Sequence, residues 1–348
     1  MSSTPRISRR ALAAPALGLT ATLLFSGCAN VGGGSGGSGG SSDSGGGASV
    51  DYPTGPITLV VGFSAGGSTD TGARLMATAL EEKLGTSFTV VNKPGANSQL
   101  AYTELTQSEP DGYTMSTINF PSAIMTVIDE SRGATYTRED FAPVALQVID
   151  PTAIAVAPDS DIETPEDLIA AAEAAPGELR ATTTGVASNE HFALAMLEKA
   201  TGAKIAPVHF ADGASAATTA FLGGNTELLL ANISDLQSLQ ESGELRIIGV
   251  MDEERSDFVP DVPTFAEAGI DVSLSSSRGY AFPAGTPDEV ITTVSDAMGE
   301  VMATPEFEEK MTQQGLAPAY KDSEEYAEYW TETQALFEEL YPLVREAK

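Results

Sequence analysis

The stretch that decides the fold reads Ile57-Thr58-Leu59-Val60-Val61-Gly62-Phe63-Ser64-Ala65-Gly66-Gly67-Ser68-Thr69-Asp70. Its first half, residues 57–63, is an apolar run rich in β-branched residues, which predicts a buried strand. A helix is expected from Gly72 to Leu84, ended by Gly85. A strand, a glycine-rich turn and a helix in this order indicate an α/β unit.

The alternation of strands and helices continues along the chain. Apolar runs predict strands at residues 88–92, 114–118, 152–157, 180–184, 205–209, 228–231 and 245–251. Helical patterns predict helices at residues 99–107, 165–175, 190–201, 214–222, 287–302 and 323–346. The fold class is therefore α/β. The roughly 320 residues that follow residues 1–27 are enough for two lobes with separate cores.

The glycine-rich turn after the first strand is a candidate anion site. We call it loop 1, and its candidate ligand-binding residues are Ser64, Ala65, Gly66, Gly67, Ser68, Thr69 and Asp70. A helix N-terminus exposes backbone N–H groups and carries about half a positive charge, which favours a carboxylate or phosphate. The alternative is a plain tight turn, with Ser68 or Asp70 serving only as a helix cap.

Two later segments repeat this design. Loop 2, residues 184–191, follows a predicted strand, and its candidates are Thr184, Gly185, Ser188, Asn189 and His191. Loop 3, residues 210–215, also precedes a helix, and its candidates are Asp212 and Ser215. Ser188 or Asn189 can cap the helix, and a histidine one turn into a helix is often structural. Three helix N-termini at one cleft would bind an anion far better than any one alone.

A hydrolase is the rival interpretation of loop 1. Gly62-x-Ser64-x-Gly66 fits the nucleophile-elbow pattern, which sits between a strand and a helix. The only candidate bases are His191 and His209, and neither lies near the C-terminus, where that fold places its histidine. Hydrolysis is therefore the minor alternative, and no catalytic residue is expected. The sequence has no metal-ligand spacing and no nucleotide-binding glycine motif, so no metal and no cofactor are expected.

The N-terminus has the pattern of an export signal. Arg6, Arg9 and Arg10 precede an uncharged apolar run over residues 11–25. This run is shorter than the roughly 20 residues that a membrane helix needs, so residues 1–27 are interpreted as a cleaved signal peptide. The paired Arg9-Arg10 leaves the choice between general secretion and twin-arginine export open.

Cys28 is the only cysteine in the chain, and it follows the signal at once. The pattern resembles a bacterial lipoprotein signal, in which this cysteine becomes the lipidated first residue. The alternative is an ordinary signal with a free thiol nearby, which an oxidising exterior would disfavour. Residues 28–51, rich in glycine and serine, are then a flexible tether between the lipid and the folded part.

The charge of the chain excludes some partners. The formal net charge is −31, and removal of an arginine-bearing signal makes the remainder more acidic still. Electrostatic binding to nucleic acid or to an anionic membrane surface is not expected. A small anion remains possible, because salt screens each charge within about 8 Å and local dipoles can dominate a cleft.

Several motifs occur together in a fixed order. They are Tyr52-Pro53-x-x-Pro56, Phe63-x-Ala65-Gly66-Gly67-x-x-Asp70, Val91-Asn92-Lys93-Pro94-Gly95-Ala96, Pro110-Asp111-Gly112-Tyr113, Gly185-x-x-Ser188-x-x-His191, Val259-Pro260-Asp261-Val262-Pro263-Thr264 and Ala284-Gly285-Thr286-Pro287. Together they resemble the extracytoplasmic solute receptors of tripartite tricarboxylate transporters, the Bordetella-uptake-gene type. The resemblance spans residues 52 to about 320.

The resemblance implies a two-lobed, type II periplasmic-binding-protein-like fold with hinge-crossing strands. Lobe I would comprise residues 52–150 and 279–348, and lobe II residues 151–278. It also implies a non-enzymatic receptor that captures a small carboxylate between loops of both lobes and delivers it to transporter membrane subunits. The lipid would be its only contact with the membrane. A ligand-sensing lipoprotein is the alternative.

Arg278 departs from the family pattern, which often has a tryptophan in this region. The sequence here reads Arg278-Gly279-Tyr280, on a segment expected to cross between the lobes. Facing the cleft, Arg278 could pair with a second ligand carboxylate through its planar fork. The alternative is a surface arginine lying over Tyr280.

Overall fold

The structure is a computed structural model that describes residues 51–210 and 213–345. The expected signal peptide, Cys28, the tether and Asp212 lie outside the described residues. In the described ranges no helix is both long and apolar enough to cross a membrane.

The described residues alternate between strands and helices, as the sequence predicts. The strands are β1 Ile57–Val61, β2 Phe88–Asn92, β3 Thr114–Phe120, β4 Phe141–Val156, β5 Arg180–Thr183, β6 Ala206–His209, β7 Leu228–Asn232, β8 Arg246–Val250, β9 Ser275–Pro283 and β10 Pro318–Lys321. The α-helices are α1 Ser68–Leu84, α2 Gln99–Thr106, α3 Ser122–Ile128, α4 Pro165–Ala174, α5 Asn189–Thr201, α6 Ala214–Leu222, α7 Ile233–Glu241, α8 Asp288–Met302, α9 Pro305–Thr312 and α10 Ser323–Arg345.

The strands form two sheets that share β4. Sheet A has the order β2-β1-β3-β9-β4, with β10 also paired to β4. In sheet B, β4 pairs with β7 and β8, and β7 leads on through β5 to β6. Residues 141–151 of β4 pair with β9, whereas residues 152–156 pair with β7 and β8. The chain therefore passes from one sheet to the other within a single strand.

The boundaries of the predicted elements agree closely with the structure in most cases. Helix α1 begins at Ser68, four residues before the predicted start, and the strand predicted at 152–157 is the end of the longer β4. The sequence analysis missed the first part of β4, β9 and α7, which lie where the two sheets meet, and also missed α3, α9 and β10.

In the described residues, one apolar core covers sheet A, another covers sheet B and a third spans both sheets. Buried side chains of β1, α1 and α8 pack on one face of sheet A, and side chains of α6 and α7 pack on sheet B. Helix α10 contacts elements of both sheets. The ring centroids of Trp330 and Phe120 of β3 are 4.9 Å apart, and those of Phe337 and Phe192 of α5 are 4.8 Å apart. Burial of these aromatic rings stabilises the junction as well as each sheet.

Gly279 is the tightest point of the β4–β9 ladder. A Cβ atom there would lie 2.5 Å from the Tyr326 ring and 2.7 Å from the Ala145 carbonyl oxygen. Overpacking of this kind costs about 1–3 kcal/mol. We therefore expect Gly279→Ala to lower the free energy of unfolding by about that amount in urea titrations. Gly55→Ala is the matched control, because its Cβ would meet no atom closer than 3.8 Å; equal losses in both variants would contradict this packing.

Candidate functional site

The Asp70 carboxylate fixes the conformation of loop 1 through hydrogen bonds. Residues 64–67 are exposed, whereas Asp70 is buried. Its carboxylate accepts hydrogen bonds from Gly66 N (2.8 Å), Arg74 Nε (2.9 Å) and Asn92 Nδ2 (2.8 Å). Burial tends to raise the pKa of Asp70, but these hydrogen bonds lower it below the ordinary value, so the group stays ionised. The Asp70 carboxylate therefore supports the loop, and the backbone and Ser64 face outwards.

The N-terminus of α1 has no side-chain cap. Gly67 is the N-cap residue, and no side chain accepts from the first N–H groups of the helix. The hydroxyl of Thr69 instead accepts from Asn119 Nδ2 of β3 at 2.9 Å. Gly66 has φ of +85°, a conformation that glycine adopts without strain. No described side chain caps the N–H groups of residues 68–70, which is the arrangement that an anion site at loop 1 requires.

Loop 2 already surrounds a carboxylate of the protein itself. Glu190 Oε2 accepts from Thr184 N (3.1 Å), Thr184 Oγ1 (2.7 Å) and Ser188 Oγ (2.7 Å). Ser188 is the N-cap of α5 and accepts from His191 N at 3.4 Å. Asn189, the first helical residue, donates from Nδ2 to Thr152 Oγ1 at 2.6 Å. The loop therefore has the donors that a carboxylate needs, but Glu190 occupies several of them.

His191 is a neutral hydrogen-bonding residue. Its Nδ1 accepts from Ala187 N at 3.1 Å, which leaves the ring proton on Nε2. Burial and the neighbouring His209 lower the pKa of His191 from 6.5 to about 4. The two rings are 4.9 Å apart, and His209 Nδ1 lies 2.6 Å from Thr183 Oγ1.

Loop 3 lies beside loop 2. Phe210 N of loop 3 donates to the carbonyl oxygen of Thr183, the residue before loop 2, at 2.8 Å. His191 of loop 2 also contacts His209, the residue before loop 3. Gly213 is the N-cap of α6, which also lacks a side-chain cap, and Ser215 is exposed in its first turn. The structure thus brings loops 2 and 3 together, while Asp212 is not described.

Arg278 is buried at the junction of the sheets. It is 7% exposed, and its Nη2 donates to Asp150 Oδ2 at 2.9 Å. Asp150 also accepts from Ser234 N (3.2 Å) and Ser234 Oγ (2.5 Å) at the start of α7. The alternative of a surface arginine is therefore wrong, because Arg278 lies inside the molecule against an acidic partner.

Four polar residues of this region were missed by the sequence analysis. They are Asn119, Asp150, Glu190 and Asp235. Asn119 and Asp150 interrupt buried strands, and a charged or amide residue in such a run is a usable signal. Glu190 and Asp235 read as ordinary acidic residues in the first turn of a helix, so their roles follow only from tertiary contacts.

The geometry gives no support to hydrolysis at Ser64. Within residues 51–210 and 213–345, no hydrogen bond joins Ser64 to a histidine, and His191 and His209 contact each other beside loop 2. In the same ranges no cluster of histidine, cysteine and acidic residues could hold a metal ion. A general base must lie within hydrogen-bonding reach of its nucleophile.

The protein has two sheets that are joined by a crossing strand, and uncapped helix N-termini lie at the carboxyl ends of its parallel strands. This combination defines the class of two-lobed solute-binding proteins. Parallel strands of α/β sheets bind ligands at those ends. A contact from Arg132 Nη2 to the Val186 carbonyl oxygen, at 3.4 Å, brings loop 2 against residues that follow α3.

Comparison with known proteins gives the family. Residues 72–341 match the model of the tripartite tricarboxylate transporter family receptor, and the chain belongs to this family. A UPF0065 protein of Cupriavidus necator is 31% identical over 81% of this chain and 85% of its own length. The family is one of solute-binding receptors rather than enzymes, which confirms the resemblance in the sequence.

Solved structures confirm the two-lobed α/β fold. A solute-binding protein from Polaromonas, solved without ligand, has a TM-score of 0.70 and 31% identity over 83% of this chain and 98% of its own. A Rhodopseudomonas palustris protein solved with adipate has a TM-score of 0.76 and 26% identity over 84% of this chain and 98% of its own.

The lowered pKa of His191 predicts a pH-dependent stability. Between pH 6.5 and about 4 the unfolded chain binds a proton that folded His191 does not, so stability is lost as the pH falls through this window. His191→Asn keeps an acceptor but cannot titrate. Urea unfolding at about pH 7.5 and about pH 5 should show a steeper loss in the wild type than in the variant. Parallel losses would contradict the assignment of a neutral, buried His191.

Proposed function

We propose that the chain is an extracytoplasmic receptor that captures a small carboxylate at loops 1, 2 and 3 and delivers it to the membrane subunits of a tripartite tricarboxylate transporter. The observation that carries the proposal is the uncapped N-terminus of α1 directly behind the exposed residues 64–67. The related protein solved with adipate supports a carboxylate as the ligand class.

Backbone groups, rather than cationic side chains, are expected to bind the carboxylate. In loop 1 the donors are the N–H groups of residues 68–70 and the hydroxyl of Ser64. In loop 2, Glu190 already accepts from Thr184 and Ser188, which favours loop 1 as the main carboxylate position. The positive end of a helix dipole acts within the first turn, so it remains effective in a chain of formal charge −31.

We further propose the domain and membrane arrangement expected from the sequence. Residues 1–27 are removed on export, Cys28 is lipidated, and residues 28–51 tether the folded part. Lobe I comprises residues 52–150 and 279–348, and lobe II residues 151–278. The change of partners in β4 between residues 151 and 152 supports a hinge there. The two lobes then close on the ligand by rotation about these crossing strands.

A thermal-shift screen tests the receptor function. Mono-, di- and tricarboxylates are added to the purified full chain, and a ligand at 100 times its Kd should add about 2.7 kcal/mol to the stability. Catalytic turnover of a carboxylate ester, with no carboxylate stabilising the protein, would contradict the proposal and favour an enzyme.

Ser64→Ala should weaken carboxylate binding by about 1 kcal/mol, which is the usual contribution of one hydrogen bond. Isothermal titration of the variant with the best ligand of the screen measures this loss. Ser87→Ala is the matched control, because Ser87 is exposed just before β2, at the opposite end of the parallel strands. Covalent labelling of Ser64 by a serine-directed probe would instead support a nucleophile.

Cys28→Ser should release the protein from the membrane, because a serine cannot receive the lipid. Fractionation of expressing cells would show the wild type with the membranes and the variant in the soluble extracytoplasmic fraction. Ser42→Ala, in the same tether, is the control and should stay with the membranes. Membrane retention of the Cys28 variant would contradict the lipid anchor.

A further inference from the structure

An acidic side chain at the start of α7 lies beside the proposed site and has no role in the fold described so far. Strand β7 ends at Asn232, which is the register partner of Thr152 on β4. Thr152 accepts a hydrogen bond from Asn189 of α5, so the N-termini of α5 and α7 lie next to each other. Asp235 occupies the first turn of α7, in this corner between the sheets.

The charges around Asp235 do not balance. Arg278 is the nearby cation, and it pairs with Asp150. Glu190 is satisfied by the donors of loop 2. Among the described residues, no hydrogen bond or ion pair involves the Asp235 carboxyl. Asp235 is half-buried rather than enclosed, so a ligand can still reach it.

The helix dipole does not account for Asp235. A carboxylate in the first turn of a helix is normally stabilised, and its pKa is then lowered. Here burial, followed by the nearby Asp150, raises the pKa of Asp235 to about 6; Arg278 on β9 lowers it and Glu190 on α5 raises it. The negative charge of Asp235 is thus unfavourable in the protein alone.

Two further buried groups in this corner have unused hydrogen-bonding capacity. Asn189 is 6% exposed, and its Oδ1 accepts from no described residue. Arg278 is 7% exposed, and its Nη1 donates to no described residue. Unsatisfied buried polar groups cost free energy, and proteins rarely keep them without a partner. The corner therefore has a free cationic donor next to free acceptors, one of which is a carboxylate.

We propose that Asp235 determines specificity by binding the protonated amino group of the captured ligand, so that the receptor prefers amino acids to plain carboxylates. This inference rests on the proposed function of carboxylate capture. Arg278 and the unpaired carboxylate of Asp235 lie near each other, and together they are complementary to a zwitterion. A plain dicarboxylate would instead place a second negative charge near Asp235, Asp150 and Glu190.

The test compares ligands that differ only in the amino group. Isothermal titration of the full chain is run with alanine against propionate, aspartate against succinate, and glutamate against glutarate. At about pH 7.5, the amino member of at least one pair should bind about tenfold more tightly or better. The preference should shrink at about pH 5, where Asp235 is largely protonated.

Asp235→Asn should abolish this preference, because it keeps the shape of the side chain and removes its charge. Asp288→Asn is the matched control: Asp288 is also an acid in the first turn of a helix, but it is exposed at the start of α8. If Asp235→Asn does not fold, Asp235→Ser replaces it, and the wild-type ratio alone remains decisive.

The outcomes separate this inference from the proposed function. Binding of plain carboxylates as tightly as their amino partners in every pair would overturn the role of Asp235 and leave carboxylate capture intact. An unchanged preference in the Asp235 variants would also overturn it. If no ligand of the pairs and no carboxylate of the thermal screen binds, the proposed function fails and the inference fails with it.

Discussion

The antiparallel ladder between β4 and β9 is the constraint on which the rest of the structure depends. It lies in sheet A over residues 141–151, from which β4 continues into sheet B, and the buried Arg278–Asp150 ion pair ties the strands together at its end. Removing one partner of such a pair leaves an unpaired buried charge, which costs about 3–5 kcal/mol. The proposed hinge lies just beyond the pair, where β4 changes partners.

This arrangement explains why the proposed anion site is compatible with a strongly acidic chain. The ladder fixes the carboxyl ends of the parallel strands of both sheets towards the same junction, and helix N-termini follow those strands. Backbone dipoles there are fixed by the fold and need no counter-charge. Asp70 and Glu190 show that the same loops already hold carboxylates of the protein through hydrogen bonds.

The predictable parts of the fold are those with local signals. Glycine spacing and a capping residue identified loop 1 and loop 2, and Ser188 is confirmed as the cap of α5. The first part of β4 escaped prediction because Pro143 and Pro151 interrupt its apolar pattern. Helix α7 escaped because few of its residues are apolar, and burial against β4 and β7 supplies the stability that its sequence does not show.

The roles of the candidate site residues were harder to predict, because they depend on partners far away in sequence. Asp70 could have been a cap or a ligand contact, and its actual partners include Asn92 on β2. Arg278 could have faced solvent, but its position against Asp150 depends on the β4–β9 register. Local patterns predicted the positions of loops 1 and 2. The contacts of the buried polar residues, such as Asp70 and Arg278, depend on the assembled sheets.

Helix α10 has a consequence for how ligand affinity can be tuned. It packs against Phe120 in one half and Phe192 in the other, so separating the sheets disturbs aromatic contacts remote from the ligand. These contacts therefore affect the balance between open and closed conformations of the unliganded protein. Apparent affinity scales with the fraction of molecules in the binding-competent shape. Variation along this C-terminal helix can therefore shift the concentration range of solute to which the receptor responds, while every ligand contact stays the same.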